Sequence, residues 1–255
     1  MNLDTIGVIG TTPLAAAIAA RLAGGAKGPR VIVHSLDAAL LATLPKRARI
    51  ERAPNLFDLA SECEAVIAAY DTHSALRGAL TGTADRPGLL GAMAPGTLII
   101  DVSGGLPGES LRLAGQLAGG AIGLVEIGIS GTKDISTGQA RLFAGGFGEH
   151  IDEVTPVLSR LGTVKRAGPQ GSGRMLAALT ESIRATYHAA LAEAQAIAAS
   201  GIVPDELADP PVSDDERSEF SAQVKTAKAI ASAHNIETPI FDAVTLRLSS
   251  APSQS

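Results

Sequence analysis

The chain opens on a short apolar run, Ile6-Gly7-Val8-Ile9-Gly10, which passes through Thr11-Thr12-Pro13 into Leu14-Ala-Ala-Ala-Ile-Ala-Ala-Arg-Leu22. The run has the length and the branched side chains of a buried strand, and the segment beyond the turn is built from strong helix formers. Gly24 and Gly25 end that helix. A strand turning tightly into a helix aims the first-turn N–H groups, and the positive end of the helix dipole, at the turn, which favours an anion there. Nothing else in the sequence constrains the fold as much, because a strand apolar on both faces needs cover on both.

The alternation continues. Strands are predicted over 30–34, 65–69, 97–101, 123–129 and 140–145. Helices are predicted over 36–44, 56–62, 107–117 and 151–161, with helical pieces at 74–80 and 89–93. Such alternation implies an α/β domain, a doubly wound, mostly parallel sheet of Rossmann type over residues 1–168. From Met175 to Ser200 Gly and Pro almost vanish, and the segment reads as one long Ala-rich interdomain helix. An acidic linker over 204–219 and helices over 220–233 and 239–248 complete a shortened all-α C-terminal domain, 169–249, expected to serve substrate binding and dimerisation. Residues 250–255 read as a disordered tail.

Composition narrows the function. A net charge of -5 leaves no basic surplus to displace counterions, so a general nucleic-acid partner is excluded. Aromatics are 3% and Trp is absent, so the core is built from Ala, Leu, Ile and Val. No run is long and apolar enough to span a bilayer, and the first residues do not read as a secretory signal. The single Cys63 excludes an internal disulfide and reads as a core residue rather than a nucleophile. A cytoplasmic protein with a small-molecule substrate and no metal site is expected.

The turn after the first strand is compared with the dinucleotide fingerprint G-x-G-x-x-G, whose three positions here are Gly10, Thr12 and Ala15. Ala15 still permits close helix–strand packing. Thr12 is the larger departure: its hydroxyl could donate to a phosphate oxygen, or its bulk could block the site. Candidate cofactor contacts are Gly10, Thr11, Thr12, Pro13 and Leu14. At the end of the second strand, Ser35 stands where an acid would bind the ribose hydroxyls of NAD, and Asp37 lies two residues late. The missing acid tilts the expectation slightly to NADP over NAD, although no Arg sits beside Ser35.

Three stretches carry a family resemblance: Ile6-Gly-Val-Ile-Gly-Thr-Thr-Pro-Leu-Ala15, Ala94-Pro-Gly-Thr-Leu-Ile-Ile-Asp-Val-Ser103, and Glu126-Ile-Gly-Ile-Ser-Gly-Thr132 with Gly138 and Gly145-Gly146 after it. In order and spacing the chain resembles the β-hydroxyacid dehydrogenases, the group of 3-hydroxyisobutyrate dehydrogenase and, more distantly, of imine reductases. The resemblance implies that Ser103 lies near the nicotinamide. It also implies that Ser130, Gly131 and Thr132 bind the substrate's carboxylate or an equivalent acceptor. The residues agree in kind, since both segments are small-residue turns at the C-terminal ends of strands, where open α/β sheets bind ligands. Ordinary turn chemistry is the alternative for both serines.

The pattern breaks near the start of the long helix. Ala177 stands where the family carries its catalytic Lys, and Thr180 replaces an Asn. An Ala cannot move the proton that accompanies hydride transfer. The same helix nevertheless places Ala177, Glu181, Arg184 and His188 on one face, flanked by Thr180 and Tyr187. Glu181, His188 or Tyr187 could supply the proton, with Thr180 and Arg184 on the substrate. The other reading of this row is an i,i+3 Glu–Arg pair on a solvated or dimer-facing surface. The trimmed C-terminal domain leaves an apolar face to cover, which predicts a homodimer. Two functions stand: an NAD(P)-dependent oxidoreductase reducing a small carbonyl or imine (or oxidising the matching hydroxy acid or amine), or a catalytically inactive relative that keeps nucleotide binding.

Overall fold

The computed structural model describes residues 3–24, 28–46, 49–197 and 213–250. Gly25, residues 204–212 of the expected linker and residues 251–255 of the expected tail lie outside the described residues. The chain divides into two compact units, Met1–Arg174 and Met175–Ser255.

The first unit is an eight-stranded sheet: β1 (Thr5–Gly10), β2 (Arg30–His34), β3 (Ile50–Arg52), β4 (Ala65–Ala69), β5 (Leu98–Asp101), β6 (Gly123–Ser130), β7 (Ala140–Gly146) and β8 (Gly162–Gly168). Its order is β3-β2-β1-β4-β5-β6-β7-β8, parallel except where β7 runs against β6. The chain winds outward from β1 in both directions, so the strand order reverses between β1 and β4, the place where doubly wound sheets open a ligand crevice. Helices cover both faces: α1 (Pro13–Leu22), α2 (Ala38–Thr43), α3 (Leu56–Glu62), α4 (His73–Thr81), α5 (Pro107–Ala118) and α6 (Gly148–Leu158).

The strand periodicity explains the two layers. Ile6, Val8, Ala65 and Ile67 point into a core shared with Ile18 and Leu22 of α1. Ile9, Val66 and Ala68 point the other way, to Leu59, Leu76 and Leu113 of α3, α4 and α5. Strands buried on both faces show no polar alternation, as predicted for the centre of a parallel sheet.

β3 and β8 were not predicted from the sequence. Both are edge strands with mostly exposed or half-buried residues. Ile50-Glu-Arg52 and Gly162-Thr-Val-Lys-Arg-Ala-Gly168 therefore lack the apolar run that marks the inner strands.

The second unit is helical. α7 (Ser172–Ile197) begins in the first unit and continues into the second, followed by α8 (Asp214–Ala233) and α9 (Pro239–Ser250). The acidic stretch expected as linker up to Glu219 is helical from Asp214. Ser213 Oγ accepts the Glu216 N–H while Glu216 Oε2 accepts the Ser213 N–H, so the acids form a capped first turn. Ala185, Phe220, Val224 and Val244 form this unit's core. Among the described residues no helix is long and apolar enough to cross a membrane, and no group of His, Cys, Asp or Glu could hold a metal ion.

Candidate functional site

Gly10 ends β1 with φ +151°, and a Cβ there would run into the Ala69 carbonyl at the end of β4. Only glycine lets the turn pass this close. Thr12 is the N-cap of α1: its Oγ1 accepts the Ala15 N–H at 3.4 Å and donates to the Ala69 carbonyl at 3.1 Å. Its hydroxyl hydrogen is thus committed inside the fold, and the Thr that replaces the second fingerprint glycine acts as a cap. Pro13 follows at the first helical position, where its missing N–H costs nothing. Leu14 comes next, among the first-turn N–H groups that helix geometry leaves without an intrahelical partner.

Ser35 is buried at the end of β2, and its Oγ accepts the Asp37 N–H at 3.1 Å. Asp37 caps α2, with Oδ1 accepting from Ala39 at 2.8 Å and Leu40 at 3.1 Å. The late acid therefore has a local structural use. A groove of about 930 Å³ lies beside this turn, lined among others by Thr11, His34, Leu36, Phe57, Tyr70 and Ala79. It draws on the C-terminal ends of β1, β2 and β4, the rim where such sheets bind ligands. Burial pushes the Tyr70 hydroxyl up to about 12, so it stays protonated at neutral pH.

Ser103 stitches two strand ends together. Its Oγ accepts the Tyr70 N–H at 3.1 Å and donates to the Ala68 carbonyl at 3.2 Å, while its own N–H donates to Asp101 Oδ1 at 2.8 Å. Beneath this turn lies a polar cluster that the sequence reading missed. Asp101 and Glu126 are fully buried, and Arg174 nearly so. Arg174 pairs with Asp101 Oδ2, and its Nε lies 3.9 Å from Glu126 Oε2. Glu126 Oε1 accepts the N–H groups of Gly173 at 2.7 Å and Arg174 at 3.3 Å, capping the start of α7. Burial raises the Glu126 carboxyl above its ordinary range, against the pull of Ser110, Arg174 and the two N–H groups. The available signal was an acid set inside each of two apolar strands, which demands a buried partner.

At the end of β6, Ser130 is buried and Gly131 is left-handed at φ +78°, leading into a 3-10 turn over Thr132–Ile135. The antiparallel register sets Ser130 opposite Arg141 of β7. Arg141 Nη2 donates to Ser130 Oγ at 3.4 Å. Gly10, Ser103 and Ser130–Thr132 thus stand at the same edge of one sheet, beyond the ends of β1, β5 and β6.

In the second unit, Glu181 is fully buried and its carboxylate accepts two bonds from Arg184 Nη1, at 2.9 and 3.2 Å. The Arg184 guanidinium lies 5.4 Å from the Phe220 ring centre, and the His188 ring stacks on the same Phe220 at 5.5 Å. The predicted row thus packs α7 on α8. Tyr187 meets His188 edge-on and is largely exposed. Thr180 is half-buried and donates to the Leu176 carbonyl, and Ala177 is buried.

A strand–turn–helix opening, a reversal of strand order beside it and small-residue turns at the strand ends define a dinucleotide-binding domain. The model of the NAD binding domain of 6-phosphogluconate dehydrogenase matches residues 5–171, and the chain belongs to that family. It is 28% identical over 171 residues to the probable 3-hydroxyisobutyrate dehydrogenase-like 3, mitochondrial, of Arabidopsis thaliana. That match covers 66% of this chain and half the length of that relative. Mycobacterium tuberculosis 3-hydroxyisobutyrate dehydrogenase, solved with L-serine, has a similar fold: TM-score 0.81 at 16% identity, over 97% of this chain and 93% of that one. A Streptomyces aurantiacus imine reductase gives TM-score 0.65 at 18% identity, over 96% and 93%. The expected kinship with 3-hydroxyisobutyrate dehydrogenases is borne out.

Proposed function

We propose that this chain is an NAD(P)-dependent oxidoreductase that reduces a small carbonyl or imine, or oxidises the matching hydroxy acid or amine. The observation that carries it is the gathering of the turns at Gly10, Ser103 and Ser130 along one edge of the sheet, next to the groove. The residues fit the coenzyme, because the groove opens beside the start of α1, whose first-turn N–H groups helix geometry leaves without intrahelical partners. When bound, the coenzyme supplies or takes the hydride.

On this reading Thr11, Thr12 and Leu14 hold the pyrophosphate at the start of α1. The groove takes the adenosine half, and Ser103 orders the backbone around the nicotinamide. Ser130, Gly131 and Thr132 hold the substrate's acceptor group. Glu181, His188 and Tyr187 stay the candidates for moving the proton, with Thr180 and Arg184 as substrate contacts. Asp37 seats a carboxylate at the N-terminus of α2, and an anion there works against a 2′-phosphate. This offsets the tilt to NADP taken from Ser35, so both coenzymes belong in the test.

A second reading, a catalytically silent relative that still binds the coenzyme, is favoured by Ala177 in place of the family's Lys. A homodimer is also proposed. Leu176, Leu179, Ile183 and Tyr187 recur at helical spacing along α7 and are exposed.

Titration with NADH and NADPH, followed by nicotinamide fluorescence, tests the shared part of both readings. Tight binding of one is expected; no binding of either at millimolar concentration overturns them. Turnover of small oxoacids, aldehydes or cyclic imines then separates enzyme from silent relative.

A further inference from the structure

We propose that the buried Arg174–Asp101 pair positions the nicotinamide half of the coenzyme by holding the turn over Ser103–Gly105 in one shape, while the adenosine half is bound independently of it. The inference rests on the coenzyme-dependent reading above and deepens it.

Asp101 ends β5 and divides its two carboxylate oxygens between two tasks. Oδ1 accepts the Ser103 N–H at 2.8 Å, and Oδ2 accepts from Arg174 Nη2. Ser103 Oγ in turn accepts the Tyr70 N–H at 3.1 Å, so the turn is tied to the end of β4 and to a wall of the groove. Arg174 is itself anchored, because Glu126 Oε1 accepts its N–H at 3.3 Å and that of Gly173 at 2.7 Å. Without the guanidinium the Asp101 carboxylate could turn about its broad terminal torsion and release Ser103. Gly105 lies on the same guanidinium: its φ is +156°, and a Cβ there would meet Arg174 Nη1 at 2.8 Å. Gly104 and Gly105 are exposed on the other side. The turn therefore has a fixed underside and an upper surface of bare backbone, open to a flat ring.

The sheet order assigns this turn to one half of the coenzyme. With the pyrophosphate at the start of α1, His34 and Leu36 of the groove lie on the β2 side of β1, whereas Ser103 lies beyond β4, at the end of β5. Stability alone does not account for the pair. Among the described residues Arg174 Nε and Nη1 make no hydrogen bond. A buried ion pair with donors left over stabilises a core no better than apolar residues of the same volume. What the pair supplies is direction, since a bridged carboxylate holds its acceptor at one angle.

The test uses the full chain and two ligands: whichever of NADH and NADPH binds, and the matching ADP-ribose or its 2′-phosphate, which lacks the nicotinamide ring. Calorimetric titration gives both Kd values for wild type, for Arg174→Lys and for the double variant Asp101→Asn with Arg174→Met, which strands no charge. Wild type is expected to bind the dinucleotide at least about tenfold more tightly than its ring-free counterpart. The double variant should lose that margin with the ADP-ribose Kd unchanged within roughly twofold, which also shows that it folds. Arg174→Lys keeps a positive charge beside Asp101 and should recover part of the margin. A full margin in the double variant overturns the proposal, as does equal loss of both ligands or no recovery in Arg174→Lys. A wild type that binds both ligands equally also overturns it and leaves the coenzyme reading standing. If wild type binds neither ligand, the coenzyme reading itself has failed, and this one falls with it.

Discussion

A Glu, an Asp and an Arg buried together make strong demands at the scale of single residues. Removing one partner of a buried pair strands the other charge, so Arg174→Met should cost about 3–5 kcal/mol in urea unfolding. Asp101→Asn added to it should cost less than the sum of the two changes, because the stranded charge is gone. Glu126 behaves differently, since its raised carboxyl keeps a proton that the unfolded chain loses. Below the ordinary value of 4.5 both states are protonated and no penalty arises. As pH rises above it, stability falls until the folded-state value is passed. Glu126→Gln cannot ionise, and its glutamine oxygen can still accept from Gly173. Its stability relative to wild type should therefore improve between pH 5 and pH 8; a constant difference across that range would refute the burial argument. Cys63 is quieter: burial pushes its thiol up to about 12, so alkylation at pH 8 should wait for unfolding and track denaturant concentration.

Among elements, the β1–α1 unit shows how a motif departure resolves into structure. Thr12 spends its hydroxyl on Ala69 and Ala15, and glycine at an N-cap costs only a few tenths of a kcal/mol. Thr12→Gly keeps most of the cap but loses the hydrogen bond to the Ala69 carbonyl, so it should cost about 1 kcal/mol in urea unfolding while bringing the backbone closer to the pyrophosphate. Coenzyme Kd is expected to fall several-fold; a rise would mean that the Thr side chain is itself part of the binding surface. The edge strands teach the opposite lesson. β3 and β8 leave little periodicity to read, because an edge position relieves most of their residues of burial. The acidic run before Phe220 misleads in a similar way: Asp and Glu that suit a loop suit a helix's first turn as well.

For the molecule as a whole, the exposed row on α7 is the feature most in need of an explanation. Ile183 is 68% exposed and Tyr187 58%, an arrangement that suits a face covered by a second copy. Sedimentation velocity should show a dimer for the wild type and a shift to monomer for Ile183→Glu. A monomeric wild type at micromolar concentration would remove the proposal. The assembly question and the coenzyme question are separate, since Gly10, Ser103 and Ser130 all lie in the first unit.

The opening turn, the inner strands, most of the helices and the small-residue turns at Ser103 and Ser130 were legible in the sequence itself. Each is encoded within a few neighbouring residues, through apolar runs, helix propensity and glycine placement. The tertiary structure alone decided which charges meet. Asp101, Glu126 and Arg174 come from three separate segments, and only strand order and the start of α7 bring them together. Arg141 reaches Ser130 only because β7 runs antiparallel, and a strand's direction is not written in its own side chains. The row of Glu181, Arg184 and His188 could be placed on one face from spacing, but what that face packs against, Phe220, depended on a helix further along the chain. Local order follows from local chemistry, whereas the partners of buried and functional charges follow from register.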